Sequence, residues 1–221
     1  MGGLHLHLVI AGASGATGRL LIDNAVAAGH TITALVRPGS TFGAPNGVRM
    51  LEAQVTTDRE LTLPDSTDAV ISTLGKRSYD DTDPVCTAGT ENLLAAMQRQ
   101  GIQRIVTVSA SPVLRSGAGE PWWFRRTVRP MVRRKGPNIY ADLEAMEEVL
   151  RSASSFCDWT ILRPGYLVDK PARGHRLVPQ ANSIASVHRA DLAGALLEVV
   201  QNPDTCRRAY GVAPHSSKER A

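Results

Sequence analysis

Nine residues, Ile10-Ala11-Gly12-Ala13-Ser14-Gly15-Ala16-Thr17-Gly18, constrain this chain more than any other stretch. They follow a short apolar run at 6–10 and lead into an amphipathic segment at 19–28, so they fall where a strand turns into a helix. The spacing is GxxGxxG. Gly12 lets the chain leave the strand in a tight turn, Gly15 removes a side chain where backbone approaches a pyrophosphate, and Gly18 lets the helix lie close on the sheet. The free N–H groups of the new helix and the positive end of its dipole face the same point. Such a loop is as often a plain turn as a phosphate cradle, so the rest of the chain has to decide.

Strand and helix patterns alternate beyond it. Leu20, Leu21, Ala25 and Val26 recur at helical spacing, and Gly29 stops the helix as a left-handed cap. Strands are expected at 31–36, 48–51, 68–74, 105–109 and 159–162, with a short helix at 58–63. Longer helices are expected at 84–100, opened by Pro84 and stopped by Gly101, then at 140–153 and 191–200. The strands are nearly continuous in apolar residues, as parallel strands covered on both faces are. This rhythm argues an α/β fold built on an open, doubly wound sheet, with ligand bound outside the carboxyl ends of its strands. Gly12, Arg37, Thr73-Leu74-Gly75 and Ser109 all fall on those ends.

Prolines and glycines from Ser111 to Asn138 break the rhythm around Trp122-Trp123-Phe124 and a run of arginines, so that stretch is not one long helix. The expected organisation is a single domain at 1–213 with an insertion at 111–139 and a mobile tail at 214–221. Residues 166–187 are loop-rich and expected to wall the substrate side of the cleft.

The formal net charge is +4, but it is not spread over the fold. Residues 113–135 hold Arg115, Arg125, Arg126, Arg129, Arg133, Arg134 and Lys135 against Glu120 alone, a local +6 that leaves −2 for the remainder. An anionic substrate, RNA, an acidic partner and a solvated basic helix all fit, the last most commonly; charge beside aromatics without a recognised module makes nucleic acid an unexpected partner. The start lacks a basic segment leading into an apolar core, and no run reaches the 18 or so apolar residues of a membrane span. A cytoplasmic protein, monomer or homodimer, with no membrane partner, is the expectation. Cys86, Cys157 and Cys206 are widely separated and lack ligand-spaced histidines, so they read as ordinary buried thiols and no metal is expected.

The second strand closes on Arg37, and no acidic residue occurs between Asp23 and Glu52. A carboxylate at this point would hold a bare ribose 2′-hydroxyl, whereas an arginine suits a 2′-phosphate, so NADPH is favoured over NADH.

Five motifs in order, GASGATG at 12–18, LVR at 35–37, TENLLAAM at 90–97, VSAS at 108–111 and WTILRPG at 159–165, resemble the atypical short-chain dehydrogenase/reductase group. The similarity is to its NmrA-like NAD(P)H-binding proteins, close to the biliverdin-IXβ reductase or flavin reductase family, and runs from Val9 to about His215. It implies a Rossmann-type fold and NADPH held by Gly12, Ser14, Gly15, Ala16, Thr17, Gly18 and Arg37, with Thr73, Leu74, Gly75 and Pro164 along the cleft. It also implies Ser109 beside the nicotinamide, with Ser109 and Tyr140 as catalytic candidates. Two departures follow from the same comparison. The lysine expected four residues after the tyrosine, where it would lower the phenol pKa, is replaced by Glu144, and no histidine stands near Gly165 and Tyr166. Tyr140 is therefore either a general acid or a packing residue, and His188 either reaches the pocket or caps the last helix. The activity implied is an NADPH-dependent reductase for a small, flat conjugated acceptor such as a flavin, quinone or polyketide-like molecule. The alternatives are a redox-silent NADP-binding regulator and a non-redox isomerase that retains the cofactor.

Overall fold

Strand β1, His7–Ala11, buries all five of its side chains, which requires helices on both sides of the sheet it belongs to. A computed structural model describes residues 4–76 and 78–215. β1 pairs in parallel with β2 (Thr31–Val36) on one side and β4 (Ala69–Ser72) on the other, and β3 (Val48–Glu52) extends the β2 edge. β5 (Arg104–Val108), β6 (Asp158–Pro164) and β10 (Arg208–Pro214) continue in parallel beyond β4. β8 (His175–Pro179) closes that edge antiparallel to β10, giving the order β3-β2-β1-β4-β5-β6-β10-β8. A separate two-stranded sheet joins β7 (Leu167–Val168) to β9 (Val187–His188).

The helices divide between the two faces. α1 (Ala16–Ala27) and α6 (Arg189–Gln201) cover the face presented by Leu8, Ile10, Ile32, Ala34 and Ile71. α2 (Val85–Gln100) and α5 (Pro137–Ser152) cover Val9, Ala11, Val70, Ile105 and Ile161 on the other. The result is a three-layer Rossmann-type architecture in which the reversal of strand order between β1 and β4 opens a crevice at the strand ends. The interruption after β5 carries two short helices, α3 (Trp122–Arg126) and α4 (Val128–Lys135), in a segment whose prolines rule out one long helix.

Three readings of the sequence are corrected. Residues 58–63 form no helix: Leu61 and Leu63 are both buried two residues apart, and side chains of α2 satisfy the extended backbone. Gln100 bonds both the N–H and the carbonyl of Leu63, and Arg99 donates to the Leu61 carbonyl. The loop-rich stretch after β6 contains β7, β8 and β9, and β10 follows α6, so the sheet has one antiparallel edge. Pro214 belongs to β10, and the His215 N–H donates to the Gly174 carbonyl, while the rest of the expected tail, 216–221, lies outside the described residues. Among the described residues no helix is long and apolar enough to cross a membrane.

Candidate active site

Gly12 leaves β1 with φ +81°, a left-handed conformation, and a Cβ on it would stand 2.7 to 2.8 Å from Thr73. Gly18 is just as confined, because a Cβ there would lie 2.3 Å from the Gly12 carbonyl oxygen, so it lets the helix close on the loop itself. Gly15 differs from both. Its backbone is ordinary extended chain, φ −73° and ψ 163°, and its Cβ would meet only the Gly12 oxygen at 3.2 Å. The turn thus explains two glycines and leaves the third open toward the cleft.

α1 follows Gly15 as its N-cap residue, with no side-chain cap and no acidic residue in its first turn. Its leading N–H groups therefore lack the partner that a helix N-terminus normally acquires. α2 is the contrast: the Asp142 carboxylate from α5 takes the N–H groups of Cys86 and Thr87 at 3.0 and 2.9 Å, and the Thr87 hydroxyl at 2.7 Å. One helix start at the cleft carries a protein anion, and the other presents bare donors.

A cleft of about 750 Å³ lies over these strand ends. It collects Gly12, Ser14, Gly15, Ala16, Thr17, Gly18, Arg37, Thr73, Leu74, Gly75 and Ser109 from four separate strand ends. Pro164 and Tyr140 stand off its wall: Pro164 is paired with Val212 in the sheet, and the α5 residues on the wall are Ile139 and Leu143. The segment after β3 (Ala53, Gln54, Val55 and Thr56) joins it, as do Lys76, Asp83 and Arg189. None of these was marked by the sequence; the one available signal was that Ala53 directly follows a strand end, where such folds bind ligand.

Ser109 is buried and not free to turn. Its hydroxyl donates to Glu147 Oε1 at 2.7 Å, and Arg163 grips the same carboxylate with Nε at 2.8 Å on Oε1 and Nη2 at 2.5 Å on Oε2. Arg151 adds a third contact at 2.6 Å. Burial works against the Glu147 charge, and the Arg163, Ser109 and Arg151 contacts outweigh it, holding the carboxyl below the usual carboxylate value. With its proton committed to Glu147, Ser109 presents only oxygen lone pairs toward the cleft.

Tyr140 is half-buried under the Arg133 guanidinium, which lies 5.7 Å from the ring centre. Its phenol is raised above the ordinary tyrosine value, first by burial and then by Tyr79, with Arg133 opposing. Glu144, which stands where a lysine would lower the phenol, has no part in this: it is turned to Arg133 and Arg115, each at 2.8 Å. His188 is buried, and its Nδ1–H donates to the Pro171 carbonyl at 2.6 Å, so it holds a loop at the start of α6. Cys86 and Cys157 are buried thiols; burial raises both, Cys157 to about 12, while Cys206 is partly exposed.

The family model described as NAD(P)H-binding matches residues 12–203, most of the chain and all four strand ends of the cleft. The chain belongs to the NAD(P)H-binding family. An uncharacterized chloroplastic protein from Arabidopsis thaliana is 26% identical over 203 residues, 86% of this chain and 70% of its own. Oxidoreductase stcQ from Emericella nidulans is 29% identical over 132 residues, 56% of this chain and 47% of its own, so the chain spans about half of that relative's length. A short-chain dehydrogenase/reductase from Veillonella parvula, solved in complex with NADP, superposes with a TM-score of 0.76 at 19% identity, covering 97% of each chain. These likenesses set the protein among NAD(P)H-binding proteins of Rossmann-type fold.

For an NAD(P)H-binding protein the residues of the cleft fit the group they would hold. The unfilled space over Gly15 and the bare start of α1 suit a pyrophosphate, and Arg37 is an exposed cation at the end of β2. The three-way hold on Glu147 fixes Ser109 at the end of β5.

Proposed function

We propose that the protein is an NADPH-dependent reductase that delivers hydride to a small, flat conjugated acceptor such as a flavin, quinone or polyketide-like molecule. The observation that carries this reading is the single cleft in which the glycine loop, Arg37, Thr73-Leu74-Gly75 and Ser109 meet. Bound NADPH supplies the hydride, and the chain supplies position, a dry wall and control of the proton. Gly12, Ser14, Gly15, Ala16, Thr17 and Gly18 bind the phosphates, Arg37 the 2′-phosphate, and Ser109 accepts a hydrogen bond from an N–H of cofactor or acceptor.

The acceptor class follows from the proton. A simple ketone needs a donor for its developing alkoxide, whereas reduced flavins and quinones take their proton from water. Tyr140 lies off the cleft wall with a raised pKa, and the Ser109 proton belongs to Glu147, so neither is a good donor at neutral pH. The same facts favour the second reading, a redox-silent NADP-binding regulator. Oxidation of NADPH by a panel of quinones and flavins separates the two: turnover with at least one supports the reductase, and binding without turnover on any supports the regulator.

Two variants test the assignments. Arg37→Ala is expected to weaken NADPH by about 1.5 to 3 kcal/mol, the worth of a charged hydrogen bond, and to leave NADH nearly untouched in calorimetry. Equal losses for both cofactors contradict it. In single turnover on a quinone, Tyr140→Phe is expected to cost less than about tenfold, or 1.4 kcal/mol, and Ser109→Ala more. A thousandfold loss in Tyr140→Phe restores the tyrosine as catalytic acid.

A further inference from the structure

The α3–α4 pair is built inside out. α3 buries none of its residues, and the one residue α4 buries is Arg129. That guanidinium is turned to the Leu114 carbonyl and to the buried Glu120 carboxylate, while Arg133 donates to the Pro112 carbonyl at 2.8 Å. What faces outward is apolar. Trp122 is 68% exposed, Trp123 47% and Met131 53%, the first a greater exposure than a monomer ordinarily gives so large a ring. Arg125, Arg126, Arg134 and Lys135 are exposed among them, and none of the four enters an ion pair among the described residues. From Pro121 to Ala141 there is no acidic residue.

Indole rings and a thioether beside unpaired cations on two short helices are the chemistry of a surface that lies in the headgroup layer of a bilayer. Tryptophan prefers that layer because one end of its ring is apolar and its N–H wants a polar neighbour, and the cations meet anionic headgroups. We propose that α3 and α4 form a docking surface for an anionic lipid bilayer. A stacking platform for single-stranded nucleic acid fits less well. Trp122 and Trp123 are consecutive on a helix and so point about 100° apart, and the Trp123–Phe124 pair is edge-on at 76°; neither offers successive bases a parallel face. Arg129 and Glu120 anchor the pair from below, so the surface is held rather than fluid. On the reductase reading, docking through a segment that leaves the carboxyl end of β5 would bring that end of the sheet toward the phase in which hydrophobic quinones dissolve.

The test reads lipid and not turnover, so its failure is separate from failure of the reductase reading. The 221-residue chain is mixed with phosphatidylcholine vesicles containing about one third phosphatidylglycerol, with pure phosphatidylcholine vesicles and with a single-stranded RNA. Binding to the anionic vesicles alone is expected, with a blue shift of tryptophan emission that can come only from Trp122 and Trp123, since Trp159 is already buried. R125E together with R126E is expected to weaken vesicle binding at least about tenfold, as is W122A together with W123A, with NADPH affinity unchanged in both. These are surface changes, and circular dichroism checks that the fold survives them. No binding to anionic vesicles, binding that ignores these substitutions, or preference for RNA overturns the proposal.

Discussion

Gly15→Val is expected to abolish NADPH binding in calorimetry, a loss of about a thousandfold or more, about 4 kcal/mol, while circular dichroism and the urea midpoint stay near native. The expectation rests on a difference among three glycines that the sequence treats alike. A side chain at Gly12 or Gly18 collides with Thr73 or with the Gly12 carbonyl, so those variants damage the fold first. At Gly15 the backbone is extended, as any residue tolerates, and a Cβ has one tight neighbour at 3.2 Å. A valine there fills the space in front of the bare N–H groups of α1, where phosphate oxygens must come within hydrogen-bond reach. Gly18→Val serves as the control, expected to unfold at lower urea. Normal NADPH affinity in Gly15→Val would show that the loop is a turn and nothing more.

Arg163→Met is expected to destabilise the protein by about 3 to 5 kcal/mol in urea unfolding, because it leaves the Glu147 carboxylate buried without its main partner. Both side chains are about 2% exposed, and Arg163 alone supplies two of the four hydrogen bonds on that carboxylate. Arg163→Met combined with Glu147→Leu is expected to recover most of the loss, since removing both charges removes the penalty as well. The pH dependence has a definite sign. Glu147 titrates below its unfolded value, so its contribution is complete above about pH 4.3 and is lost as pH falls through the folded pKa. In Arg163→Met that acid-side slope should flatten, because burial then works on the carboxylate without the opposing guanidinium. A double variant no more stable than the single would show that packing, and not charge, sets the loss.

The parts of this molecule that the sequence displays are those where one residue type answers a local demand. Gly12 and Gly29 have positive φ, Gly101 caps α2 in the left-handed region, and the strand at 31–36 is found without a shift at either end. β10 escapes such reading because Gly211 interrupts an otherwise apolar run; that glycine breaks nothing, and is there because a Cβ would lie 2.3 Å from the Ala181 carbonyl oxygen of a loop crossing the strand. The absent helix at 58–63 is decided by Gln100 and Arg99, which come from distant sequence to satisfy its backbone. Glu147 looks like one surface acid among Glu144, Glu147 and Glu148. Its signal was positional: it follows Leu143 by four and precedes Leu150 by three, on the buried stripe with Met146, and a carboxylate there needs a cation from across the core. Arg163, inside the apolar strand TILRP, is that cation.

The most direct measurement of the central claim is an anaerobic single turnover with NADPH deuterated at its transferable nicotinamide position, mixed with excess quinone or flavin, and analysed by mass spectrometry for the oxidised cofactor. Bound NADPH is expected to be oxidised in one exponential phase, with the deuterium leaving the nicotinamide, and Gly15→Val to remove the phase altogether. NADPH that binds in the cleft and keeps its deuterium in the presence of every acceptor would contradict it.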